Sequence, residues 1–129
     1  LPSTRRLVQG AKDLAVPVIL YVNGCSQLLE VLVETGADVL GLDWRIDPAE
    51  AIRRTQGKVA LQGNLDPCVL FASPEVVERE ARRVLESFRH APGCIFNLGS
   101  GILPGVPVAS MEALFRVIQT DTVPMGARA

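Results

Sequence analysis

Four short polar segments hold the residues of this chain that could do chemistry. They are Asn23-Gly24-Cys25, Asp43-Trp44-Arg45, Gln62-Gly63-Asn64-Leu65-Asp66-Pro67 and Gly99-Ser100-Gly101-Ile102-Leu103-Pro104. Each follows an apolar run, and the segments leading into those runs show no such concentration. Arg45 carries a guanidinium whose fork matches a carboxylate bidentately, so it reads either as an anion holder or as half of a surface ion pair. Asp43 reads either as a binding carboxylate or as the cap of its own turn. Asn64 and Asp66 are expected to order their own loop through Asx-type bonds. In Gly99-Ser100-Gly101 the two glycines let a ligand approach the backbone, and their N–H groups could form an anion nest. That segment lacks both the G-x-G-x-x-G spacing and a Walker lysine, so it supports a nucleotide site only weakly.

Cys25, Cys68 and Cys94 have no histidine partner within sequence reach and read as small hydrophobes rather than nucleophiles. The one histidine, His90, precedes Ala91-Pro92-Gly93 at a helix-to-strand turn on the far side, where it reads as a helix-end cation. No Ser-His-Asp set can be assembled around it. With three cysteines and no C-x-x-C pair, neither a metal site nor a disulfide framework is expected, and a cytoplasmic location is.

These segments must be held by the apolar runs before them, which begin at residues 16, 37, 59 and 94. The runs are 16–22, 37–42, 59–61 and 94–98, and none alternates steadily with polar residues. Strands buried on both faces of a parallel sheet read this way. Helical patterns flank them. Residues 4–14 place Leu7, Val8, Ala11 and Leu14 on one side. Residues 26–34 pair Leu28 with Leu32 and Leu29 with Val33, and Gly36 is a natural stop. Asp47-Pro48-Ala49-Glu50 carries a capping signature, and the helix it opens ends near Gly57. A helix opening at Ser73 buries Val77, Ala81, Val84, Leu85 and Phe88. A last one, opening at Ser110, turns Leu114, Val117 and Ile118 inward.

The expected fold class is therefore α/β, with four parallel βα units over residues 1–120 and a frayed tail over 121–129. A full eight-unit barrel needs at least about 200 residues. A chain of 129 residues holds half of one, or else an open flavodoxin-like sheet. Thirteen Lys and Arg against fourteen Asp and Glu leave no field to attract nucleic acid or an anionic membrane. No apolar run approaches the roughly 18 residues of a membrane helix, and no charged-then-apolar leader pattern is visible at the start.

Three of the strand-end stretches, taken together, resemble hallmark segments of uroporphyrinogen decarboxylases. They are residues 34–45 (ETGADVLGLDWR), residues 59–67 (VALQGNLDP) and residues 96–104 (FNLGSGILP) followed by Pro107. The resemblance runs from about Leu7 to Thr120. It implies the C-terminal half of a TIM (β/α)8 barrel, usually a homodimer, that converts uroporphyrinogen III to coproporphyrinogen III without metal or organic cofactor. It also implies a tetrapyrrole substrate whose protonated pyrrole ring serves as the electron sink. Ser100 stands where the family's Asn-Leu-Gly-His-Gly motif has a substrate-contacting histidine. Substrate binding is accordingly expected at Ser100, with Gly99, Gly101, Asp43 and Arg45 around it.

The family's arginine pair, pyrrole-binding aspartate, active-site tyrosine and serine or threonine have no counterpart here. No catalytic residue can therefore be assigned, and the chain alone is expected to be inactive. An isolated half-barrel is expected to self-associate through exposed strand edges. Two alternatives stand beside this reading. One is a non-catalytic half-barrel that binds or assembles. The other is a fragment of a cobamide-dependent methyltransferase, whose zinc site needs clustered His and Cys ligands that this chain lacks.

Overall fold

In the computed structural model, residues 2–24 and 26–121 are described. Helix α1 (Pro2–Lys12) leads into strand β1 (Ile19–Tyr21). A 3-10 turn at Ser26–Leu28 opens helix α2 (Leu29–Val33), and strand β2 (Val39–Gly41) follows. Helix α3 (Pro48–Thr55) connects to strand β3 (Ala60–Leu65). A second 3-10 turn at Pro67–Phe71 precedes helix α4 (Pro74–Ser87), strand β4 (Cys94–Leu98) and helix α5 (Val108–Thr120).

The strands form one parallel sheet in the order β1-β2-β3-β4. Tyr21 lies beside Gly41, Gly41 beside Gln62, and Gln62 beside Ile95. Every crossover therefore steps to the next neighbour, which winds the chain one way only. A flavodoxin-like sheet must reverse direction within its strand order, and this one does not. The four units are those of half a barrel. Leu40, Leu61 and Leu65 from the strands share a core with Leu29, Val77, Ala81 and Val117 from the helices, all at most 2% exposed. The other sheet face is open, with Ile19 46%, Tyr21 44% and Ile95 41% exposed.

Local signals act as the sequence implies at several joints. The Asp47 side chain accepts from the N–H groups of Ala49 at 2.8 Å and Glu50 at 3.4 Å, and Pro48 fills the first turn. Asp66 caps its own turn by accepting from Cys68 N–H at 2.9 Å.

Other expectations fail for identifiable reasons. Strand β3 runs to Leu65, so Gln62, Gly63 and Asn64 are strand rather than loop. Asn64 is not an Asx-turn residue. It is 4% exposed and bonds across to the neighbouring loop, and a polar side chain with its partners built in packs as core. In α1 only Val8 is buried; Leu7 is 75% exposed, and Leu14 lies beyond the helix end at 72%. Leu28 is exposed because its turn is 3-10 rather than α, which breaks the pairing with Leu32. Helix α5 starts at Val108, and its Ile118 faces the open side rather than the core. Of the tail expected over 121–129, Asp121 is held, its N–H donating to Val117 O and its carboxylate pairing with Arg82, both at 2.8 Å, while 122–129 lie outside the described residues.

Candidate functional site

The carboxyl ends of the four strands share one end of the sheet, and the polar segments gather there. Asp43 follows β2 and is 3% exposed. Its carboxylate accepts from Gly24 N–H at 2.6 Å and Arg45 N–H at 2.9 Å, and lies 3.4 Å from the Arg45 guanidinium. It ties the loop after β1 to the loop after β2, so its structural role is fully occupied. Arg45 also donates to Asn23 Oδ1 at 3.0 Å, and its guanidinium sits 4.0 Å from the centre of the Trp44 ring. Its side chain stays half exposed, so a cation remains presented at the rim. From below, the Asn64 amide donates to the carbonyls of Asp43 at 2.9 Å and Ile46 at 2.6 Å. The loop 43–46 is thus clamped on both sides.

The same end is tied down on its outer side. Arg54 of α3 donates to the carbonyls of Ser26 and Gln27 and pairs with Glu30 at 2.7 Å. The guanidinium beside it holds the Glu30 carboxyl down at about 2. This clamp orders the start of α2, just past the loop that supplies Asn23 and Gly24.

Gly99 is buried, and its surroundings differ from those of an anion nest. Its N–H donates to Leu65 O at 2.8 Å, and its carbonyl accepts from the Tyr21 hydroxyl at 2.9 Å. A Cβ here would collide with the backbone nitrogen of Trp44. Glycine is required because two strand-end loops touch, rather than because a ligand approaches. Ser100 is half-buried, while Gly101 is exposed with open space around it.

Ser100 and Gly101 line a cavity of about 420 Å³ that runs over the open sheet face and along the β4 edge. Its polar groups are those of Tyr21, Gln62, Asn97 and Ser100, and its apolar walls include Phe96, Ile102, Met111 and Phe115. Arg45 lines a separate, smaller recess of about 190 Å³ with Asp47, Asn64, Asp66 and Arg83. The structure therefore brings together Ser100 and Gly101, leaves Gly99 behind them as support, and sets Asp43 and Arg45 to one side. Tyr21 and Asn97 lie inside the apolar runs, and Gln62 stands in a polar segment with no role assigned to it. The period of two along each strand, with the strands in register, is the signal that would have grouped them.

The thiols are poor nucleophile candidates. Burial pushes Cys94 up to about 11. Desolvation and the neighbouring Asp66 carboxylate also raise Cys68, which is exposed. Cys25 lies outside the described residues. His90 is exposed just past α4, away from these loops. Among the described residues, no three His, Cys, Asp or Glu side chains group as metal ligands. Among the same residues, no helix is long and apolar enough to cross a membrane.

Comparison with known proteins places this geometry. A solved methyltransferase from Methanosarcina mazei superposes with a TM-score of 0.74 over 90% of this chain and 34% of its own, at 19% identity, a likeness of fold alone. A uroporphyrinogen decarboxylase from Pelobacter propionicus is 48% identical over 119 residues, covering 92% of this chain and 35% of that protein. One from Citrifermentans bemidjiense is 50% identical over 117 residues, covering 91% and 34%. The chain spans about a third of the length of these curated relatives. The sequence profile described as Uroporphyrinogen decarboxylase (URO-D) matches residues 1–120, so the chain belongs to the uroporphyrinogen decarboxylase family.

Proposed function

We propose that this chain supplies the C-terminal four βα units of a barrel that decarboxylates uroporphyrinogen III to coproporphyrinogen III, and that it does not turn over alone. The family match through residue 120 is the observation that carries this reading. The cavity suits it in kind. A volume of about 420 Å³ lies near the lower end for ligand pockets, enough for one acetate-bearing edge of a macrocycle rather than the whole ring. The apolar walls take the flat pyrrole face. Ser100, with Gln62 and Asn97 near it, supplies neutral hydrogen bonds, while Arg45 holds its cation in the separate recess to one side.

Decarboxylation then needs an electron sink, and protonation of the pyrrole ring provides one. The carbon–carboxyl bond breaks, its electron pair enters the ring cation and carbon dioxide leaves; a proton then adds to the exocyclic carbon, and the ring gives up the proton that it took at the start. The protein's part is orientation and charge placement. No metal or organic cofactor enters this scheme. A cytoplasmic setting and self-association belong to the same proposal. The exposed Ile19 and Ile95 on edge strands β1 and β4 support the latter.

A second reading is binding without turnover. Ser100 favours it, because a hydroxyl can hydrogen-bond a carboxylate but cannot carry positive charge toward it. The test is a chimera in which residues 1–120 replace the matching segment of the Pelobacter propionicus relative. Coproporphyrinogen is expected from the chimera, at a higher rate with Ser100→His, and none from the 129-residue chain alone. Robust product from the chain alone would sink the inactivity claim. A folded chimera that binds uroporphyrin yet is dead even with Ser100→His would favour the second reading.

A further inference from the structure

The Tyr21 hydroxyl donates to the Gly99 carbonyl at 2.9 Å across 78 positions of sequence. Tyr21 ends β1 and Gly99 follows β4, the two edges of the sheet. In a flat sheet the outer two of four strands lie about 14 Å apart, beyond a tyrosine's reach. The bond closes because the segment after β4 folds back over the strand ends, where Gly99 donates to Leu65 O and lies against Trp44 just past β2. Two glycines make room for it. A Cβ on Gly41, the register partner of Tyr21, would stand 2.9 Å from both Cβ and Cδ2 of the tyrosine. Gly99 itself lies against the Trp44 backbone.

The Gly99 carbonyl and the Ser100 N–H belong to one planar peptide unit and point in opposite directions. Fixing that carbonyl therefore fixes where the Ser100 N–H points. The constraint matters because Ser100 sits between two glycines, whose backbones turn readily to either sign of φ. We propose that Tyr21 is a positioning residue, which sets the Gly99–Ser100 peptide so that Ser100 meets a ligand carboxylate in the cavity. This rests on reading the cavity as a porphyrinogen site.

The test uses uroporphyrin, a fluorescent oxidised form of the proposed substrate, and coproporphyrin, which has methyl groups where uroporphyrin has acetates. Both are titrated into the 129-residue chain and into Tyr21→Phe, which loses only the hydroxyl. Uroporphyrin affinity is expected to fall roughly fivefold, the size of one net hydrogen bond, with coproporphyrin affinity unchanged. The Ser100 amide resonance should shift as its peptide reorients, while the β3 amides do not change. Gly41→Ala keeps the hydroxyl but crowds the ring, and it should likewise erase the preference for uroporphyrin. Equal weakening for both porphyrins, an unmoved Ser100 amide resonance in Tyr21→Phe or an intact preference in Gly41→Ala overturns the proposal. A wild-type chain that binds neither porphyrin overturns this inference before any variant is made, while the functional reading is decided separately by the chimera.

Discussion

Replacing Asn64 should loosen the whole strand-end surface. Its amide donates to two carbonyls, those of Asp43 at 2.9 Å and Ile46 at 2.6 Å, and the residue is only 4% exposed. Asn64→Ala leaves both acceptors buried without a donor. A buried polar group stripped of its partner costs about 1–3 kcal/mol, so two should cost about 2–6 kcal/mol, toward the low end if water enters the space. Against a total stability of about 5–15 kcal/mol for an ordinary domain, that is a large share. Asn64→Asp should be at least as damaging near neutral pH, since a carboxylate would face two carbonyl oxygens.

Urea unfolding measures the loss. Trp44 is the only tryptophan in the chain and lies in the clamped loop, so its emission reports the local change directly. The native-state emission should shift in both variants before any denaturant is added. A loss under about 1 kcal/mol for Asn64→Ala, with native Trp44 emission unchanged, would refute the clamp, because neither carbonyl would then have depended on the amide.

Three further outcomes follow from the same contacts. Gly99→Ala should destabilise by about 1–3 kcal/mol through overpacking against Trp44 and should perturb its emission, whereas Gly101→Ala, facing open space, should move neither. Arg54 lowers the Glu30 carboxyl from 4.5 to about 2, so the pair's contribution is fully present above pH 4.5 and is lost as pH falls toward 2. The stability gap between wild type and Glu30→Gln should accordingly be constant above that window and close within it, as read from urea midpoints at successive pH values. Cys94, raised to about 11, should react with a disulfide reagent only slowly at pH 7, with a rate still climbing beyond pH 9.

Most of the helices and all four strands were legible because burial and capping act locally. The buried face of α4 could be read from Val77, Ala81, Val84, Leu85 and Phe88, and Asp47 and Pro48 marked the start of α3. The barrel order was not legible from periodicity, since singly and doubly wound sheets share the same strand pattern; only the pairing distinguishes them. The site was legible in part. Glycine at 99 and serine at 100 drew notice by type, but the reason for Gly99 is a tertiary collision with Trp44 that no local pattern encodes. Asn64 departs from its local pattern for a related reason. Asparagine in a polar stretch usually serves its own turn, and its two acceptors here lie 21 and 18 positions away.

The strictly consecutive sheet order also bears on how the molecule assembles. Each strand finds its partner in the adjoining unit, so the sheet can grow like a zipper with modest loop-closure cost at every step. The teeth are unequal. The β3–β4 ladder runs from Leu61 beside Cys94 to Leu65 beside Leu98, with α4 and α5 packed together nearby, whereas β1–β2 spans only Ile19 to Tyr21. Growth should therefore start at the β3–β4 end and travel backward along the chain, with β1 joining last and opening first. The whole top surface then inherits the lifetime of its least secure strand.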